Sequence, residues 1–197
     1  MVASWVPKSL CGFVLVALLS TGPAVAQDAD PIVAWGWNYY GQCNIPAPNI
    51  DFIAVAGGYD HSLGLKADGS IVAWGDNQYG QCNVPAPNSG FIAVAGGGEH
   101  SLGVKADGSI VAWGDNQYGQ CNVPAPNSGF VAVAGGWGHS LGVKANGSLV
   151  AWGDNWYGQC NVPAPNSGFV TVAAGSSHSL GLKAYILGDL NCDGVVD

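Results

Sequence analysis

The sequence predicts an all-β fold, a propeller-type array of four repeats, and three observations carry that prediction. Trp35, Trp74, Trp113 and Trp152 stand 39 residues apart, each inside a near-copy of the unit seen at residues 71–109. The unit is rich in β-branched residues and Gly with few helix-forming residues, and an Asp-Gly or Asn-Gly pair recurs at a fixed offset. A constant period marks units that bury surface on one another. Three or four short antiparallel strands in a unit of this length correspond to one propeller blade. A stacked solenoid fits less well, because its coils run about 20 to 30 residues with parallel strands.

Residues 1–26 read as a secretory signal peptide. Lys8 precedes an apolar run from Leu10 to Leu19, and Ala24-Val25-Ala26 supplies a small-residue cleavage site. The run falls short of the roughly 20 residues of a membrane span, and Gly22 and Pro23 follow it. The expected mature chain starts at Gln27, has no membrane association, and works outside the cytoplasm: secreted, extracellular or periplasmic after bacterial-type export.

The repeat domain covers residues 27–187, with units at 32–70, 71–109, 110–148 and 149–187. Ile32-Val33-Ala34-Trp35 opens it as an expected strand with no hairpin partner before it. His61–Lys66 then leads through Ala67-Asp68-Gly69 into Ser70–Trp74, a β-hairpin pattern. Asp107-Gly108 and Asn146-Gly147 keep the same turn chemistry, since these residues tolerate positive φ. Gln81-Cys82-Asn83-Val84 is expected as a short edge strand, because Pro85 and Pro87 cannot donate to a central ladder. Phe91–Ala95 reads as a further strand. The array closes with His178–Lys183, which lacks the strand that follows it in the other units. Each end therefore supplies what the other is missing, and pairing them would remove both edges. A closed four-bladed ring, a partial propeller, and two arcs assembled as a dimer all fit.

Charge narrows the partners. The chain has 13 acidic residues against five basic ones, a formal net charge of −8. Nucleic acid is excluded as a partner, because phosphate binding needs clustered Lys and Arg. Cys43, Cys82, Cys121 and Cys160 are one position repeated. Equivalent positions in neighbouring blades usually lie beyond the ~7 Å Cα limit of a disulfide, so they are expected as buried reduced thiols. A four-thiolate metal site is the alternative, against the usual close ligand spacing. His61, His100, His139 and His178 also recur. They are expected to bond neighbouring backbone groups, with a metal site or channel lining as the sharper reading. No catalytic constellation stands out, since every candidate repeats identically while catalysis usually needs one asymmetric arrangement.

The copies differ mainly at two places. One is the pair before His-Ser: Tyr59-Asp60, Gly98-Glu99, Trp137-Gly138 and Ser176-Ser177. The other follows Trp-Gly: Trp37 and Tyr39, Asp76 and Gln78, Asp115 and Gln117, Asp154 and Trp156. In an antiparallel hairpin both places lie at the end opposite the Asp-Gly turn. Exposed Trp and Tyr are the usual anchors of interfaces. Trp37, Tyr39, Tyr59, Trp137 and Trp156 are therefore the candidate binding residues, with drift in unconstrained loops as the plainer account.

Trp74-Gly75, Asn77, Gly80-Gln81, Gly96-Gly97 and His100-Ser101, repeated through residues 32 to 184, resemble the regulator of chromosome condensation repeat family. The resemblance implies a β-propeller, usually of seven blades. That family includes a secreted β-lactamase inhibitor with similarly short blades. Its nucleotide-exchange residues are not carried over, because an exported acidic chain would not meet a nuclear GTPase.

Residues 188–197 resemble a truncated dockerin calcium loop. Asp189, Asn191, Asp193, Val195 and Asp197 fall at the ligand positions, and Gly194 at the sharp turn. The sequence stops before the twelfth position, so weak Ca²⁺ binding is expected, with cohesin as a partner if a complete dockerin follows. These readings converge on a noncatalytic binding or scaffolding module that presents an aromatic loop face to an extracellular protein or glycan. A proteinaceous inhibitor of an extracellular enzyme and a propeller-based enzyme or sugar-handling protein are the alternatives.

Overall fold

Each Asp-Gly turn nucleates a hairpin. At the first, Lys66 N–H donates to Ser70 O (2.8 Å) and Gly69 N–H to Lys66 O (2.9 Å). Asp68 Oδ1 accepts from both the amide and the hydroxyl of Ser70, while Gly69 takes φ of +79°, which a side chain would resist. The computed structural model describes residues 31–184, so the signal stretch and the candidate calcium ligands Asp189, Asn191, Asp193, Val195 and Asp197 lie outside the described residues.

The strands form four antiparallel sheets in chain order. The first holds β1 (Phe52–Gly57), β2 (His61–Lys66) and β3 (Ile71–Gly75). The second holds β4 (Phe91–Gly96), β5 (His100–Lys105) and β6 (Ile110–Gly114), and the third β7 (Phe130–Gly135), β8 (His139–Lys144) and β9 (Leu149–Gly153). The fourth has only β10 (Phe169–Ala174) and β11 (Ser179–Lys183). Each three-stranded sheet is a meander with its second strand in the centre, and the first strand carries a register shift just after its Phe.

The core lies between sheets. Leu63, Leu65 and Ile71 of the first sheet pack with Phe91 and Trp113 of the second. Leu102, Val104 and Ile110 do the same with Phe130 and Trp152 of the third. Burying these side chains is worth roughly 1.5 to 3 kcal/mol each, so a single small sheet gains its stability only from its neighbours. Backbone bonds tie the same seams, as when Phe91 N–H donates to Gly69 O at 2.9 Å.

Two expectations are corrected. Gln81–Val84 is not a strand. Its backbone bonds are taken locally: Asn83 N–H donates to Gly80 O, and Cys82 N–H to Asn77 Oδ1, so nothing remains for a ladder. The ring also does not close on itself. Ile32–Trp35 is not a strand, and β11 pairs only with β10 among the described residues. Similar side chains repeat at each seam and set a similar step between sheets, and three such steps between four sheets leave the two ends apart. The described residues form a partial propeller.

Candidate binding rim

The residues common to all units build the seams. Ser101 Oγ–H donates to Gln81 O (2.9 Å), which also accepts the Trp113 indole N–H (2.8 Å). Because the Ser hydroxyl has spent its proton, it must accept from His61 Nε2, 2.9 Å away across the seam. The histidine is thus the neutral tautomer protonated on Nε2. The same relay recurs with His100, Ser140, Gln120 and Trp152. The expectation that these histidines bond nearby backbone is therefore corrected: the imidazole links one sheet to the next through Ser Oγ.

Burial pushes the pKa of His61 and of His100 down to about 4, so both rings stay uncharged at neutral pH. A Cβ at Gly97 would sit 2.1 Å from the His100 ring, which is why the second Gly of the Gly-Gly pair precedes His by three residues. Nδ1 of His61, His100 and His139 is buried without a partner. No group of three or more metal-ligating side chains occurs among the described residues. The four cysteines are free thiols, half-buried rather than buried. In three of them the thiol donates to the carbonyl of Asp76, Asp115 or Asp154, and burial raises the pKa of Cys82 and Cys121 to about 11.

The two variable sets do meet at one rim. His61 pairs with Gly75 at the β2–β3 end away from the turn, and Asp76 N–H donates to Asp60 O at 2.9 Å. Equivalent bonds join Asp115 to Glu99 and Asp154 to Gly138. Neighbouring loops are also bonded to one another: Tyr59 N–H to Gly97 O, Gly98 N–H to Gly136 O, and Trp137 N–H to Ser176 O.

This convergence brings Tyr59 and Trp137 edge to face, ring centroids 4.8 Å apart, over the intervening Gly98. A Cβ at Gly98 would lie 2.6 Å from Trp137 O, so the missing side chain is what allows the approach. The rings remain 65% and 45% exposed. Trp37 and Tyr39 stack at 6.0 Å, with Tyr40 against Tyr39 at 4.9 Å. Trp156 is 84% exposed and joins neither group.

Composition reading missed the polar floor of this rim. Buried Gln81 donates through Nε2 to Asp76 (2.9 Å) and Glu99 (2.7 Å), while its Oε1 accepts from Tyr79 N–H. Burial, then Asp76, Asp60 and Asp115, raise the Glu99 pKa to about 7. The repeated Gln of the Gly-Gln pair was the available signal. Amides buried at the same position in three units, Gln81, Gln120 and Gln159, need fixed partners.

Three segments, residues 52–81, 91–120 and 130–159, match the regulator of chromosome condensation (RCC1) repeat. Each runs from the Phe that opens a sheet to the Gln beneath the rim. No curated protein matches the chain. Among solved structures it is similar to Prp20p from Saccharomyces cerevisiae, reported with its binding properties to Gsp1p and histones. That match has 20% identity over 77% of this chain and 51% of that one, with a TM-score of 0.65. It is also similar to the ectodomain of the receptor kinase CR4 from Physcomitrella patens (23% identity, 82% of this chain, 40% of that one, TM-score 0.62). The CRINKLY WD40 ectodomain of the Arabidopsis thaliana receptor kinase ACR4 is a third (27%, 68%, 46%, TM-score 0.55). The chain spans about half the length of these structures or less.

Proposed function

We propose that the chain is an exported, noncatalytic binding module that docks a protein through its aromatic and acidic rim. The observation that carries this reading is the Tyr59–Trp137 pair, held edge to face by converging loops and still open to solvent. A preorganised aromatic pair loses little entropy on binding and serves as an anchor. Asp60, Asp76 and Asp115 lie close enough to Glu99 to raise its pKa, and this acidic group favours a partner contact surface rich in Lys and Arg. The similar fold of Prp20p, reported with its binding to Gsp1p and histones, supports use of this architecture as a protein platform. Inhibition of an extracellular enzyme would be one form of the same docking.

An enzymatic role finds no support in the His–Ser contacts. They are buried, and the serine gives its proton to a backbone carbonyl while the histidine donates to the serine, the reverse of an activated nucleophile.

The test is capture of extracellular proteins on the immobilised full chain, followed by titration of the identified partner. Tyr59→Ala with Trp137→Ala should weaken that partner at least roughly 100-fold, and binding should fall with salt. Unchanged affinity in the double variant removes the rim as the site. A positive glycan array with no captured protein moves the assignment to sugars.

A further inference from the structure

The two ends of the array are complementary halves of one blade. The segment from Ile32 to Gly36 repeats the sequence of β3 and β6, Ile-Val-Ala-Trp-Gly. It also holds their local geometry. Asn49 clasps the N–H and C=O of Ile32 (2.9 and 2.8 Å) as Asn88 clasps those of Ile71. Gly36 has φ of +109°, beside +105° and +103° at Gly75 and Gly114. Ile32 lies against the first sheet at Gly64 as Ile71 lies against the second at Gly103. The segment carries the clasp and turn geometry of a third strand, and among the described residues it has no sheet to join.

At the other end, β10 and β11 form a sheet of two strands, without a third among the described residues. Leu180 and Leu182 are each 60% exposed, whereas their counterparts Leu63 and Leu65 are fully buried. The core cluster at the last seam, Leu141, Val143, Leu149 and Phe169, lacks the Trp that completes the other two. An open groove of about 320 Å³, lined by Leu141, Leu149, Gln159, Phe169 and Ser179, lies where that indole belongs.

The hydrogen bonds agree. Gln159 O accepts from Ser179 Oγ, while Gln42, Gln81 and Gln120 each also take an indole N–H. The Trp35 indole is 84% exposed. Ser62 Oγ donates to Gln42 O with no histidine donating to it, and His178 faces no serine among the described residues.

We propose that two copies of this chain close one eight-bladed ring, each lending Ile32–Gly36 as the third strand of the partner's β10–β11 sheet. Extending the β2–β3 register sets Trp35 opposite Ser179 of the other copy, Ala34 opposite Leu180 and Ile32 opposite Leu182. Trp35 then fills the groove and donates to Gln159 O, and His178 donates to Ser62 Oγ of the other copy. A second copy is the occupant because the missing strand is this chain's own repeated sequence. The paired segments 32–36 and 179–182 carry no charged side chain, so the net charge of each copy places no like charges in the seam. The exchange is reciprocal, so one two-fold axis closes both seams and pairs the free edge of β11 in each copy.

The test uses the full chain without added ligand. Sedimentation equilibrium should give twice the chain mass. Hydrogen exchange at residues 32–36 and 179–183 should slow as concentration rises. Trp35→Ala, which removes a side chain exposed in the single copy, should weaken association at least roughly 30-fold with an unchanged far-UV CD spectrum. A monomer with both segments unprotected overturns the proposal. A monomer with both protected at every concentration overturns it in favour of closure within one chain. Open-ended oligomers, or a dimer indifferent to Trp35→Ala, also overturn it.

Discussion

Ser62 and Ser101 occupy the same position in successive units, yet replacing them with Ala should have unequal costs in the single copy. Ser62→Ala removes one hydrogen bond, and Gln42 O keeps the Trp74 indole as a donor. A net loss of about 1 kcal/mol is expected. Ser101→Ala removes two bonds and strands the buried His61, whose Nδ1 already lacks a partner. An orphaned buried donor adds about 1 to 3 kcal/mol, so the total is about 3 kcal/mol and the difference between the variants about 2 kcal/mol. Urea unfolding followed by tryptophan fluorescence and by far-UV CD reads this, with coincident curves checking the two-state treatment. Both variants belong in a Trp35→Ala background, where the other copy's His178 does not reach Ser62. Ser140→Ala serves as an internal repeat of Ser101→Ala, since it strands His100 in the same way. Equal costs for Ser62→Ala and Ser101→Ala would refute the relay and its assigned proton direction.

The buried histidines also set the acid limit. Burial lowers the pKa of His61 and His100 from 6.5 to about 4, so below pH 6.5 the unfolded chain takes up protons that the folded chain refuses. Stability is full above pH 6.5 and is lost as pH falls towards 4, by about 3 kcal/mol for each ring; a flat profile from pH 7 to 4.5 would refute it. Glu99 acts in the opposite sense, because its raised pKa, about 7, penalises the folded state as pH climbs from 4.5 through 7. Glu99→Gln should therefore stabilise the chain at pH 8 and leave it nearly unchanged at pH 4.5, which thermal melts at the two pH values will show. Gly103→Ala would place a Cβ 2.6 Å from the Phe91 ring and should cost about 2 to 3 kcal/mol. A wild-type melting temperature for that variant would mean Phe91 moves freely in the seam.

The hairpins were readable because an Asp-Gly pair between two apolar runs has one good solution, and β2, β3 and their counterparts lie where the runs placed them. The shared rim of the variable positions followed from the same geometry. Gln81–Val84 misled because its extended-looking residues are captured by Asn77 and Gly80, and a side-chain clasp leaves no mark in hydrophobic periodicity. The His–Ser–Gln–Trp relay was missed for a different reason. Its members lie 20 to 40 positions apart, and only the step between sheets brings them together. The Tyr59–Trp137 contact was likewise hidden: a whole unit separates the rings, and the permissive residue is the side-chain-free Gly98 in it.

The relay divides labour within each unit. Joints are made by a fixed quartet, while of the residues ahead of the histidines only Asp60 and Glu99 add side-chain bonds to them, and Gly98 and Gly138 add close approach. Recognition loops of this kind can be exchanged like interchangeable tips on a common handle, and whole units can be duplicated or deleted without redesigning a joint. Randomising positions 59, 137, 176 and 177, with Gly98, Gly138, Asp60 and Glu99 kept, should therefore yield libraries that keep the parent's melting temperature while sampling new binding specificities.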